Sequence, residues 1–149
     1  MERDRNTITY AGIAGAVAGV VGLIGVYADW WSTADATFDG TADASGSLAL
    51  AMSIATFAFG GAYILMSDAR IRRAMGALMT LTAVVLALAT VWGTTRADEV
   101  AAGASTETGL WISGIGGILG IGGGLLALRD SQAADARTLA TPGRGAVEG

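Results

Sequence analysis

The chain has 149 residues, 52% hydrophobic and 15% charged, with a formal net charge of -4. It contains no Cys, no His and no Lys, so all 9 basic residues are Arg. This excludes thiolate or imidazole metal sites, His-ligated haem, and Cys–His or Ser–His–Asp catalysis. An acidic balance without a basic stripe also argues against nucleic-acid binding.

Four long windows carry no Asp, Glu or Arg: Asn6–Ala28, Ala44–Ser67, Ala74–Thr95 and Thr108–Leu128. A bilayer core about 30 Å thick needs about 20 helical residues, so each window fits one crossing. Helices of a soluble bundle carry charges on their outer faces, and four successive uncharged windows do not fit that pattern. Lipid offers backbone groups no partner, so the spans must be helical. The expectation is an all-α, polytopic membrane four-helix bundle with trimmed spans 8–28, 48–67, 74–92 and 109–128. These form one transmembrane domain over residues 1–128, followed by a polar tail over 129–149.

The first span places Gly12, Gly15, Gly19 and Gly22 on one continuous face. Small residues let helices approach closely in lipid, where hiding apolar surface gains little, so this face is expected to pack against another helix. Ala34-Asp35-Ala36 has the small-x-small form of a cleavage site. The apolar stretch before it is longer than the roughly 7–15 residues of a signal h-region, so the first span is expected to remain with the protein.

The first loop after it, residues 29–47, contains Asp39-Gly40 between Ala36-Thr37-Phe38 and Thr41-Ala42. Asp-Gly suits a type I′ turn, which predicts a short β-hairpin over the helix ends. Asp35, Asp39 and Asp43 lack the order of a calcium loop and read as solvated acids. No metal site and no cofactor is expected. The second span carries Ala51-x-x-x-Ala55 and a Gly60-Gly61 pair that predicts a bend. A tight connection then holds Arg70, Arg72 and Arg73. The third span repeats the small-residue face with Gly76, Thr80, Ala83, Ala87 and Thr90. In the next loop, Arg96-Ala97-Asp98-Glu99 predicts a helical turn, and Arg96 is expected to pair with a loop acid.

The fourth span holds Gly116, Gly120 and Gly124 at four-residue spacing, a glycine zipper. Eight glycines lie in this span, each of which would cost roughly 1 kcal/mol of helix propensity in water. In lipid the helix survives because an unfolded backbone would meet hydrocarbon. The small faces fit packing within one bundle, or an added homo-oligomeric or membrane-protein partner, with the fourth span as the leading face for the latter. Beyond it, the helix is expected to run on through Ala133–Ala136 and then give way to disorder.

Arginine placement sets the threading. With the N-terminus in the cytoplasm, Arg3, Arg5, Arg70, Arg72, Arg73, Arg129, Arg137 and Arg144 lie inside and only Arg96 lies outside. The positive-inside rule therefore predicts two cytoplasmic termini in the plasma membrane, with Arg70, Arg72 and Arg73 as the main topology determinants. Trp30, Trp31, Trp92 and Trp111 all fall at predicted outer helix ends, which reads as a belt of interfacial anchors. A sharper reading has these indoles cluster against the outer loops or a partner.

Ionisable residues inside spans are the usual mark of transport or proton relay, and no span carries one. Small multidrug transporters and rotary-ring subunits need a membrane carboxylate. Intramembrane aspartyl proteases need a Gly-x-Gly-Asp motif, and fluoride channels need pore Asn, whereas Asn6 is the only Asn here. The expected function is therefore non-enzymatic: a structural or accessory component of a membrane or envelope assembly, with the lipid bilayer as its medium. The alternative is an oligomeric pore for small uncharged solutes lined by Gly, Ser and Thr.

Three features carry a resemblance: the Thr108–Gly123 run TGLWISGIGGILGIGG, the Asp29-Trp30-Trp31 end of the first span, and the basic turn Arg70-Ile71-Arg72-Arg73. In layout over residues 8–128 the chain resembles small prokaryotic four-helix membrane proteins, among them the tryptophan-associated membrane proteins of actinobacteria. The resemblance implies the fold and carries no activity. The layout is also similar to claudin-type tetraspans, but the Cys pair of their first outer loop has no counterpart here. Abundant Ala, Asp and Arg without Lys suit a prokaryotic, high-GC source, actinobacterial or haloarchaeal.

Overall fold

A computed structural model describes residues 2–140 of the chain. Four long helices dominate it: α1 (Glu2–Tyr27), α2 (Ala44–Leu65), α3 (Ala69–Thr95) and α5 (Thr108–Ala140). Each contains a stretch long and apolar enough to cross a membrane: Ile8–Tyr27, Ala44–Leu65, Ala69–Thr95 and Thr108–Ala133. The chain reads as a multi-pass membrane protein on this basis. The last helix runs past the expected Ala136 to Ala140, and the tail expected to be disordered falls on residues 141–149, outside the described residues.

Local chemistry explains where the helices begin. Asp43 caps α2, accepting from the Ser45 backbone N–H at 3.1 Å and the Ser45 hydroxyl at 2.8 Å. Asp68 caps α3, accepting from the N–H groups of Arg70 and Ile71 at 2.7 and 3.2 Å. Such caps satisfy N–H groups that a helix leaves unpaired in its first turn. Only residues 66–68 separate α2 from α3, which forces the two to lie antiparallel as neighbours. The Gly60-Gly61 pair does not interrupt α2, which is helical throughout Ala44–Leu65.

The helices form a four-cornered bundle in which α1 and α3 each pack on both α2 and α5, while α2 and α5 face one another across a diagonal. Glycines make the seams. On α1, a Cβ at Gly12 would lie 2.9 Å from the Gly60 carbonyl oxygen, one at Gly15 3.2 Å from Gly60 Cα, and one at Gly19 2.5 Å from the Phe57 nitrogen. Gly22 has Ser53 of α2 on one side, and a Cβ at Gly116 would reach its nitrogen at 2.7 Å. Between α3 and α5, a Cβ at Gly76 would meet Ala127 Cβ at 3.0 Å, one at Gly120 Ala83 Cβ at 2.7 Å, and one at Gly124 the Thr80 nitrogen at 2.9 Å. Gly12, Gly15, Gly19, Gly22, Gly76, Gly116, Gly120 and Gly124 thus each abut another helix of the same chain.

Hydroxyls add bonds between helices. Thr56 of α2 donates to Thr82 of α3 at 2.9 Å, and Ser113 of α5 donates to the Gly22 carbonyl of α1 at 3.2 Å. At the end of the bundle holding the α2–α3 turn, fully buried Tyr63 packs with Ala11, Met79 and Ala127.

The opposite end carries a cap built from both loops. Strand β1 (Asp29–Ser32) pairs antiparallel with β2 (Thr37–Asp39) on one side and β3 (Ser105–Thr106) on the other. A short 3-10 turn (Gly40–Ala42) follows β2, and a one-turn helix α4 (Ala97–Val100) precedes β3. The chain is therefore mostly helical with a small sheet, rather than wholly α. The expected turn at Asp39-Gly40 is corrected. The chain reverses at residues 33–36, where the Thr33 N–H donates to the Ala36 carbonyl at 2.8 Å. Asp39 instead caps the 3-10 turn, accepting from the Thr41 N–H at 2.9 Å and its hydroxyl at 2.6 Å.

Candidate functional site

The cap is where side chains from most elements of the chain converge. A strand normally sends successive side chains to opposite faces. In β1 the register shifts between Asp29 and Trp31, so Trp30 is an extra residue, a β-bulge. Bulges re-aim side chains. The consequence here is that two consecutive tryptophans enter the same core, with Val26, Ala49, Leu86, Ala89 and Leu110.

Both indoles also find partners for their N–H groups. Trp30 Nε1 donates to the Gly25 carbonyl in the last turn of α1 at 2.8 Å, and Trp31 Nε1 donates to the Gly93 carbonyl near the end of α3 at 3.0 Å. The Gly25 and Gly93 carbonyls also accept from the Ala28 and Arg96 N–H groups at 3.3 and 3.2 Å, so each indole supplies a second, shorter bond at the end of one helix. The rings meet edge to face, with centroids 5.3 Å apart. Trp30 also packs on α3 beside Leu110 of α5: a Cβ at Gly93 would touch its Cζ3 at 2.9 Å and Leu110 Cδ1 at 3.1 Å.

This arrangement corrects the reading of all four tryptophans as one interfacial belt. Trp30 and Trp31 are 0% exposed, whereas Trp92 and Trp111 are 42% and 59% exposed. Only the second pair is free to meet a headgroup region. The first pair fulfils the sharper reading in part, because it clusters under the loops. The missed signal was the doublet itself, since a buried indole needs both an apolar slot and an acceptor.

Charged groups tie the two loops together. The Arg96 guanidinium pairs with Asp43 at 3.2 Å and with Glu99, and lies 5.7 Å from the Trp92 ring centroid. Asp43 is held well below the usual carboxylate range, at about 2. Burial alone would raise it. The Ser45 N–H and hydroxyl, the Arg96 guanidinium and the Ala44 N–H together outweigh that burial. On the far side of the cap, the Ser32 hydroxyl donates to Glu107 and lies 3.1 Å from the Ser105 hydroxyl, joining β1 to β3. The Glu107 N–H donates to the Trp30 carbonyl at 2.7 Å.

Asp35, Asp39 and Asp43 do not converge. Among the described residues there is no group of three or more acids placed to hold a metal ion. At the other end of the bundle, Arg70, Arg72 and Arg73 lie in the first turns of α3, and the Arg73 guanidinium reaches the Ser131 carbonyl of α5 at 3.5 Å. The geometry as a whole is that of a clasp: it fixes loops on helix ends and joins three helices at one point. No protein-family model, curated protein or solved structure matches the chain.

Proposed function

We propose that the chain is a small non-enzymatic protein of the plasma membrane, with both termini in the cytoplasm, that serves a larger membrane or envelope assembly by presenting its cap on the outer side. The observation that carries this reading is the burial of Trp30 and Trp31 beneath the loops. Loops without a role in recognition need no fixed shape. Here two aromatic side chains, two indole hydrogen bonds and the Arg96 ion pairs order both loops as one surface. Arginine asymmetry supports the orientation, with eight of the nine arginines on the inner segments.

A pore lined by Gly, Ser and Thr is less well supported. The glycines of the helix seams are occupied by neighbouring helices, Ser53, Thr80, Thr82 and Thr90 each donate to a carbonyl of their own helix, and Thr56 donates to Thr82. The deciding experiment is in vivo photo-crosslinking from the exposed cap positions Asp35 and Thr41. The proposal expects a discrete crosslinked partner from these sites and none from the lipid-facing site Leu88. It is rejected if the cap sites give no crosslink while the purified protein conducts small solutes in proteoliposomes.

A further inference from the structure

Beside the cap, α3 and α5 separate. Deeper in the bundle their backbones touch: a Cβ at Gly117 would lie 2.9 Å from the Ala87 nitrogen, and one at Gly124 would lie equally close to that of Thr80. Towards the cap the contact loosens, and the nearest atom to a Cβ at Gly114 is Thr90 Oγ1 at 3.3 Å. One turn further on, a Cβ at Gly93 would meet the Trp30 ring at 2.9 Å and Leu110 Cδ1 at 3.1 Å, so both side chains fill that level. Between that level and the deeper seam lies a cleft of about 430 Å³ on the outside of the bundle, in the range of small-ligand sites. Its floor is Thr90, Leu110 and Gly114, and its walls are Val91, Trp111 and Ile118.

The lining offers neither charge nor a free hydroxyl donor. Thr90 donates to the Ala87 carbonyl and Thr94 to the Val91 carbonyl, both at 2.7 Å. The whole cleft lies within the stretches of α3 and α5 that are apolar enough to span a membrane. A neighbouring helix is a poor occupant, because close helix approach in lipid needs small residues, and here the rims are Val91, Trp111, Ile115 and Ile118, all more than half exposed. A flexible hydrocarbon chain enters between such rims without clashing. It also runs parallel to the helices, with its polar end at the level of Trp111, in the first turn of α5.

We propose that this cleft holds one acyl chain of a bilayer lipid as a fixed part of the structure. The proposal rests on the helices crossing the bilayer, and a protein recovered without detergent would refute that premise separately. The test is native mass spectrometry of the full chain, reconstituted in vesicles of phosphatidylethanolamine and phosphatidylglycerol and then extracted in mild detergent. One phospholipid is expected to stay bound to each wild-type chain. Gly114→Leu fills the cleft and Ile118→Ser removes a wall, and each is expected to lose that lipid. Ile118 is 67% exposed, so its variant keeps the fold even if Gly114→Leu does not. The far-UV circular dichroism and thermal unfolding of the variant verify this. The chain lacks Cys, so a single Val91→Cys reports any second copy in the cleft by disulfide crosslinking. A wild-type chain that retains no lipid, retention unchanged in both variants, or an efficient crosslink through the thiol introduced by Val91→Cys would each overturn the proposal.

Discussion

The bundle and the cap are held by opposite means. In the bundle the contacts that matter are those where a side chain is missing: Gly19 against Phe57, Gly116 against Gly22, Gly117 against Ala87. In the cap they are made by the largest side chains in the chain, Trp30 and Trp31, each buried and each hydrogen-bonded to a helix end. Solvent explains the difference. Lipid gives no reward for hiding apolar surface, so helices there gain from close dispersion contact and from hydroxyl bonds. At the water-facing end, removing a large aromatic surface from solvent is itself favourable.

The comparison breaks most visibly where a side chain is added to a seam. Gly116→Leu places atoms against the Gly22 nitrogen, where a Cβ alone would already sit at 2.7 Å. The expected loss is at least about 3 kcal/mol, the upper range of overpacking penalties, because backbone cannot yield as a side chain can. Unfolding in mixed detergent micelles followed by circular dichroism measures it. In the cap the informative change is a deletion. Trp31→Ala is expected to cost about 3–5 kcal/mol, to leave the Gly93 carbonyl without its indole donor, and to release the loops to proteolysis while the helices stay intact. Limited proteolysis read by mass separates loop release from loss of the bundle.

A smaller effect comes from the ion pairs. Asp43 has a folded pKa of about 2, below its value of about 4 in an unfolded chain. Its contribution is therefore complete above about pH 4 and is lost as pH falls through about 2. The contribution is at most about 2.5 kcal/mol. Tryptophan emission during an acid titration is expected to show the cap loosening in that window, and Asp43→Asn is expected to be weaker at neutral pH and to lack the step. Smallest of all, Thr56→Val removes the 2.9 Å bond to Thr82 and is expected to cost about 0.6 kcal/mol, the average for such bonds in membrane bundles.

The bundle was largely legible in the sequence because its two signals are long and redundant. Absence of charge over four windows marks the helices, and small residues recurring every three or four positions mark their seams. The helical turn at Arg96–Glu99 was equally readable, as was an acidic partner for Arg96, which proves to be both Asp43 and Glu99. The cap was read poorly for physical reasons. Strands of four, three and two residues are too short to show an alternation. Asp39-Gly40 is a strong turn signal, yet the Asp39 carboxylate serves just as well as a cap, and the Thr33–Ala36 bond took the reversal. The indole suits a headgroup belt and a buried helix end alike, so Trp30 and Trp31 could not be told from Trp92 and Trp111 until the bulge was seen.

The central claim is that the clasped end of the bundle faces outward while the arginine turn stays inside. Because the native chain has no Cys, single substitutions Asp35→Cys and Arg70→Cys can each be exposed, in intact spheroplasts, to a maleimide that does not cross membranes. Modification at position 35 alone, with position 70 reacting only after the membrane is permeabilised, is the predicted result. Equal reaction at both positions before permeabilisation, or reaction at position 70 alone, would contradict it.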